Sequence, residues 1–249
     1  MQAHSTTPLG VAIGTNSIVR KGAFGATAIG SGASILANAE AAVAIGMGAE
    51  AQGNYAVAAG TAARAKESAV AVGYQANAVE SSVAVGHEAK STKESDIAVG
   101  KGAIASGNQG AIAMGLGTQA QGDSSIMIGG SEINKVAAQT VKYQKEKKDA
   151  QGRAVIKSTK KTETIGGEQI ERTIRSVEME DASGSIQNAY MELTNGRTLD
   201  TARLDYSLAA NKNGHGSISM GIHSLSTGDL GTAIGTGARV TKLGGVALG

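Results

Sequence analysis

The 249-residue chain has no cysteine and no tryptophan, one proline, one phenylalanine and five tyrosines. Without cysteine there are no disulfides and no thiolate metal sites, and the absence is neutral about compartment, because exported bacterial passenger proteins often lack cysteine too. The shortage of bulky side chains excludes a large mixed core of the ordinary globular kind. No segment approaches the roughly 18 consecutive apolar residues of a spanning helix. The first thirty residues carry no basic segment followed by an apolar one, as a secretory signal would. Lys and Arg number 23 against 21 Asp and Glu, a formal net charge of +2, so no global charge points to nucleic acid or a membrane surface as partner.

What the chain does have is glycine, 36 residues of it, and a repeat. The pattern apolar–small–apolar–Gly occurs twelve times, nine from Val11-Ala12-Ile13-Gly14 to Ile126-Met127-Ile128-Gly129 and three from Ile218-Ser219-Met220-Gly221 to Val246-Ala247-Leu248-Gly249. The closing glycines are spaced 13 to 16 residues apart. A fixed period shorter than a domain marks stacked repeats. Gly249 closes a motif, and the chain reads as a piece of a longer polypeptide.

Within each motif the alternation has period two, as a strand requires. A small residue recurs three places after the Gly, as at Ala33, Ala49, Ala63, Ala76, Ala89, Ala103 and Ala238. Each coil is therefore expected to hold two short strands joined by two turns, with Gly and polar residues at the turns. A triangular β-helix needs about eighteen residues per coil, so 13 to 16 allow only two sides. The expected architecture is all-β, a flattened parallel β-roll with Ala and Gly inside and an apolar ladder outside. That ladder comprises Val43, Ile45, Val57, Val70, Val72, Val83, Val85, Ile97, Val99, Ile112, Met114, Ile126 and Ile128. Exposed to water it would exceed the apolar patch that a soluble monomer tolerates, and each Val or Ile buried is worth about 1.5–3 kcal/mol. Identical rolls packing their ladders around an axis remove the problem, and three suit a central apolar core better than two flat faces. These thirteen residues are the candidate core of a homotrimer.

The repeats resemble the YadA-type head of trimeric autotransporter adhesins of Gram-negative bacteria, whose repeat is Asn-Ser-Val-Ala-Ile-Gly. The resemblance covers residues 10–129 and 218–249. It implies a left-handed parallel β-roll, an obligate homotrimer, and a place at the tip of a fibre on the bacterial cell surface. It further implies binding of a host extracellular-matrix protein or cell-surface receptor, and anchoring in the outer membrane only through a C-terminal β-barrel beyond this sequence. The family's Asn is replaced here by Ala41, Tyr55, Ser68, Ser81, Ser95, Gly110 and Ser124, so the Val-Ala-Ile-Gly half that carries packing is kept better than the half that carries turns.

The sequence thus divides into head repeats over 1–129, a charged insertion over 130–217, and resumed head repeats over 218–249. The 88-residue insertion holds fourteen of the 23 Lys and Arg and twelve of the 21 Asp and Glu. It is expected to be α+β. Ser131, Glu132, Ile133, Val136, Ala137 and Val141 predict a capped amphipathic helix running toward Lys148. Arg153–Thr159, Thr162–Ile165, Gly166-Gly167 and Gln169–Met179 predict a β-hairpin. Asn195-Gly196 is a second hairpin signal, flanked by Tyr190–Thr194 and Arg197–Leu199, and Thr198–Ala210 predicts a short helix. Charge is polarised: Lys135, Lys142, Lys145, Lys147, Lys148, Arg153, Lys157, Lys160 and Lys161 come first, and Glu178, Glu180, Asp181, Glu192, Asp200 and Asp205 later. Presented three times around a trimer, the residues Lys142, Lys145, Lys147, Lys148, Arg153, Lys157, Lys160 and Lys161 are the candidate ligand-binding set, engaging an acidic or sulfated surface or a receptor protein. Two other readings stay open: a clasp in which basic and acidic parts pair between neighbouring subunits, and a merely solvated face.

Catalytic and cofactor chemistry finds no support. The Gly-x-Gly occurrences belong to the repeat, and no dinucleotide fingerprint or Walker-type Gly-Lys-Ser/Thr is present. His4, His87, His215 and His223 read as surface turn residues, with no metal partners to join them, and no Ser/His/Asp arrangement stands out. Tyr55 and Tyr74 read as turn or outer-face residues that pack over neighbouring coils. The expected function is a non-enzymatic adhesin head, without cofactor, metal or nucleic-acid partner. The competing reading is a structural spacer, since nine coils at about 4.8 Å each give about 43 Å of rod. An ice-binding solenoid lacks its flat Thr-x-Thr row here, and an acyltransferase β-helix fails on coil length.

Overall fold

The computed structural model describes residues 2–130, 133–166, 168–194, 196 and 214–249. They form two compact units, one made of the described residues up to Ile133 together with 214–249, the other of the described residues between Asn134 and Thr201.

In the first unit each motif becomes a three-residue strand, as in Val70–Val72, and the small-residue pattern after it a two-residue strand, as in Asn77–Ala78. The three-residue strands stack into a 12-stranded parallel sheet and the two-residue strands into a 9-stranded one. Register follows the repeat residue for residue: Val70 lies beside Val57 and Val83, and Ala71 beside Ala58 and Ala84. Ile126–Ile128 pairs directly with Ile218–Met220, so the long sheet runs through the insertion point without a break. The interruption falls in the short sheet instead, where Gln119–Ala120 is the last of nine strands and Leu225–Ser226 pairs separately with Arg239–Val240.

The interior is alanine. Ala28, Ala44, Ala58, Ala71, Ala84, Ala98 and Ala113 of the long sheet are fully buried, as are Ala51, Ala65, Ala78, Ala105 and Ala120 of the short one. Val19 and Ile35 stand at the matching short-sheet positions of the two 16-residue coils, where the larger side chains fill a wider turn of chain. The expected two-sided coil with Ala inside is what the structure shows.

The closing glycine of each motif is required twice over. Gly73 has φ +128°, and a Cβ built on it would lie 2.7 Å from the carbonyl carbon of Gly86 in the next coil. Gly14 over Gly30 and Gly46 over Gly60 repeat the same contact at 2.7 Å. A second column, two residues before each motif, also turns through positive φ: Ala41 (50°), Tyr55 (58°), Ser68 (54°), Ser81 (53°), Ser95 (62°), Gly110 (58°) and Ser124 (52°). These are the positions where the resembling repeat has Asn, the non-glycine residue that tolerates the left-handed region best.

The second unit departs from expectation in two places. The helix at its start spans only Ile133–Ala137 and ends far short of Lys148, and Ser131 and Glu132 lie outside the described residues. Thr140–Glu146 is a strand, antiparallel to Met179–Ser185 over seven rungs. Val141 and Tyr143 recur every second residue, and that β-branched and aromatic alternation with a partner strand outweighs the helical spacing of Ile133, Val136 and Val141. Tyr190–Thr194 is not a hairpin strand either, since Ile186–Leu193 is a helix. Ser185 caps it by accepting from the Asn188 N–H at 3.2 Å, and the Gly196 N–H donates to the Met191 carbonyl at 2.7 Å. That bond, from five residues on, is of the kind that closes a helix, so Gly196 follows a helix end where the sequence suggested a turn between strands. Asn195, Arg197–Leu199 and the helix expected over Thr198–Ala210 lie outside the described residues. The other hairpin is present: Ile156–Ile165 pairs with Glu168–Val177 over ten rungs. Its first strand starts at Ile156 because Asp149–Arg153 is tied into a turn.

The glycine column gives a graded expectation. Gly73→Ala meets both a forbidden φ and the backbone of Gly86, and should cost about 3 kcal/mol or more. Gly102→Ala, at φ +65° with nothing within 4 Å of the new Cβ, should cost about 1 kcal/mol. Urea denaturation of the two variants beside the parent protein measures the difference.

Candidate functional site

Because alanine faces inward, the first and third residues of every motif face outward. Val43, Val57, Val70, Val83, Ile97, Ile112 and Ile126 are half-buried along one row, and Ile45, Val72, Val85, Val99, Met114 and Ile128 form the second, half-buried to exposed. All thirteen predicted ladder residues lie on this one face of the long sheet. The rows continue beyond them, from Ile13, 55% exposed, to Leu248, 78% exposed. Next to the ladder, the residue after each closing glycine lines a corner, and there Tyr74 stacks on His87 of the following coil with ring centroids 5.0 Å apart. Tyr55 is 64% exposed and packs far less than the sequence suggested.

The basic set of the second unit is largely answered within its own chain. Lys147 pairs with Glu178 at 2.9 Å, Lys145 with Glu180 at 3.5 Å, Lys160 with Glu171 at 3.0 Å and Lys161 with Glu163 at 3.1 Å. Arg153 is committed to Asp149, which accepts its Nε–H and backbone N–H, each at 2.9 Å. Lys145 and Lys147 meet Glu180 and Glu178 because Thr140–Glu146 folds against Met179–Ser185, and Lys160 meets Glu171 across the second hairpin, whereas the Arg153 and Lys161 pairs are local in sequence. Such exposed pairs contribute about 0–1 kcal/mol each. Among the described residues Lys142, Lys148 and Lys157 form no ion pair, and neither do Arg172 and Arg175, which the sequence reading did not single out. The signal for them was available in the hairpin that the sequence predicts, since its register fixes which residues face 157–161.

The helix Ile186–Leu193 covers one side of the strand pair Thr140–Glu146 and Met179–Ser185, burying Ala189 against it. On this unit lie a cavity of about 460 Å³ lined by Lys142, Gln144, Asp181 and Ser183, and one of about 500 Å³ lined by Tyr143, Lys148, Asn188 and Glu192. Among the described residues no group of three or more His, Cys, Asp or Glu is placed to hold a metal ion, and no helix is long and apolar enough to cross a membrane. The ring of His215 accepts the Asp123 N–H at 3.2 Å. His223 is buried at a positive-φ turn rather than on the surface.

Two carboxylates are perturbed in opposite directions. The hydrogen bond from the Arg153 backbone, with further ones from the Arg153 side chain and the Gln151 backbone, holds the half-buried Asp149 below the usual range against the opposing effect of burial. Asp96 is fully buried where neighbouring coils have Ala69, Ser82 and Ala111. Its burial raises the pKa above 3.8, although the N–H groups of Ala111 (2.9 Å) and Lys93 (3.1 Å) donate to it. Between 3.8 and that raised pKa the folded chain holds a proton the unfolded chain has lost, so this residue's contribution to stability falls as pH rises through the window. The stability difference between the parent protein and Asp96→Ala should therefore grow in favour of the parent on acidification from pH 7 toward pH 4. Chemical denaturation at a series of pH values reads it, and a difference independent of pH would contradict the assignment.

The model of the YadA head domain repeat matches residues 80–103, 106–130 and 226–249. The matched segments lie on both sides of the insertion and leave it uncovered. No curated protein sequence matches the chain.

Proposed function

We propose that this chain, which carries a YadA-like head domain, works as the head of a non-enzymatic bacterial surface adhesin, a homotrimer of left-handed rolls on the outer membrane of a Gram-negative cell. The observation that carries the reading is the outward apolar ladder, continuous through all twelve strands of the long sheet on repeats of an adhesin family. Among the described residues the two rows stay half-buried to exposed, and three rolls meeting at this face would supply the thick apolar core that an alanine interior lacks. The partner is a host extracellular-matrix protein or cell-surface receptor, reached through the roll's outer surface and the 130–217 insertion. A second reading, a spacer within a longer trimeric fibre, draws support from the uniformity of the coils. The insertion weighs against it, because a bare rod has no use for 88 residues of charged chain.

Val85→Asp with Val99→Asp leaves the alanine interior untouched and puts two carboxylates per chain into the ladder. At about 1.5–3 kcal/mol for each buried Val, together with the cost of burying the charges, the trimer should dissociate to monomers in analytical ultracentrifugation. Persistence of the trimer would exclude the ladder as its core. Function is tested by binding to epithelial cells and immobilised matrix proteins, with the parent beside a variant in which a short turn replaces 130–217. The direct pairing of Ile126–Ile128 with Ile218–Met220 lets the roll continue across that junction. Loss of binding with the trimer intact assigns recognition to the insertion, retained binding assigns it to the roll, and no binding by either protein favours the spacer.

A further inference from the structure

In the hairpin Ile156–Ile165 with Glu168–Val177, the five rungs Lys157↔Ser176, Ser158↔Arg175, Thr159↔Ile174, Lys160↔Thr173 and Lys161↔Arg172 carry five cations and no carboxylate. The acidic residues stand outside this band, Glu163, Glu168 and Glu171 toward the turn and Glu178, Glu180 and Asp181 at the other end. All ten residues of the band are exposed. Lys157, Lys161 and Arg172 share one face of the ribbon and Lys160 and Arg175 the other, because side chains alternate along each strand. Lys160 and Lys161 reach Glu171 and Glu163 beyond the band, and Lys157, Arg172 and Arg175 have no ion pair among the described residues.

This arrangement works against the ribbon's own stability. Lys161 and Arg172 are directly opposite, at about 5 Å, where like charges repel, and a two-stranded ribbon without a covering layer is marginal in water. A positive band kept at that cost is explained by an anion that lies on it. We infer that the band binds a linear sulfated polysaccharide, through Lys157, Lys161 and Arg172 on one face of the ribbon, with Arg175 and Lys160 offered to the polysaccharide where it passes over the edge to the other face. Neither cavity described on this unit is lined by a residue of the band, and Lys157 and Lys161 stand about 13 Å apart along one strand, a span suited to successive charges on an extended chain. The guanidinium forks of Arg172 and Arg175 match an oxyanion group in two-point contact, and Ser158, Thr159, Thr173 and Ser176 interleave hydroxyl groups able to meet sugar hydroxyls. No aromatic ring lies on the ribbon to stack a base, as single-stranded nucleic acid binding demands. Ile174 is the one apolar residue in the band, too little to enter a bilayer. In a trimer the band would be presented three times, and a long polysaccharide able to reach two copies gains from their linkage. The inference rests on the adhesin reading and names one ligand class for the insertion.

The test uses the full chain and immobilised heparin, with desulfated heparin, single-stranded DNA and vesicles containing phosphatidylserine as competitors. The expected result is binding that desulfation abolishes, that rising salt weakens, and that Lys157→Gln/Arg172→Gln/Arg175→Gln reduces tenfold or more with circular dichroism unchanged. Lys142→Gln/Lys148→Gln, outside the band, should bind as the parent does. Lys157→Arg/Arg172→Lys/Arg175→Lys keeps the charge and should keep most of the affinity, which separates loss of cations from loss of the ribbon. Equal binding to desulfated heparin, stronger binding to DNA or vesicles, or equal loss in the variant outside the band would each overturn the inference. Attachment to cells and matrix proteins is measured alongside. No heparin binding with attachment intact removes this inference and leaves the adhesin reading; failure of both removes both.

Discussion

The closest constraint in this molecule is the stacking of glycine on glycine between successive coils. A Cβ on Gly73 would lie within 2.7 Å of the next coil's backbone, and the same holds along the column. With only 13 to 16 residues per coil, little space is left between the two sheets. The interior therefore admits mostly alanine and serine, a few larger side chains such as Val19, Ile35, Met127 and Val240, and one carboxylate, Asp96, tied to two backbone N–H groups.

The rest of the roll follows from that thinness. A strand with small residues on its inner face has only its outer face for branched apolar ones, so Val, Ile and Met form a ladder pointing away from the alanine. Within one chain the stabilising contacts are mostly backbone hydrogen bonds between coils, such as Val70 N–H to the Ser82 carbonyl at 2.9 Å and Gly73 N–H to the Ala59 carbonyl at 2.8 Å. The interior supplies little of the hydrophobic contribution that a globular domain takes from its core, because its side chains are mostly alanine.

The insertion obeys different rules. Its strands alternate, its helix is capped by Ser185 and stopped at Gly196, and its charges are mostly matched inside the unit. The long sheet passes from Ile128 to Ile218 without losing a rung, so the roll tolerates a second fold at this point because only the short sheet is interrupted. Matching fails in one band of the ribbon, where the cations outnumber their neighbours, and that failure makes the ribbon a candidate for recognition.

Much of this was legible in the residues. The period, the two-sided coil, the inward alanine and the outward ladder follow from motif spacing and strand alternation, because each coil repeats the same local chemistry and register is set by the glycine. The pairing of Ile156–Ile165 with Glu168–Val177 was legible for a similarly local reason. Thr140–Glu146 was not, since its helical and strand patterns overlap and the decision belongs to Met179–Ser185, more than thirty residues away. Asn195-Gly196 was ambiguous for a related reason, because the same dipeptide can close a hairpin or stop a helix until the preceding residues have found their partners. The basic arm shows the division most plainly. Composition by itself determined that positive charge is concentrated there, and Arg153 with Asp149 and Lys161 with Glu163 are local pairs, but only tertiary pairing decided that Lys145, Lys147 and Lys160 are answered by Glu180, Glu178 and Glu171, because charges far apart in sequence compensate one another only when folding brings them within a few ångströms.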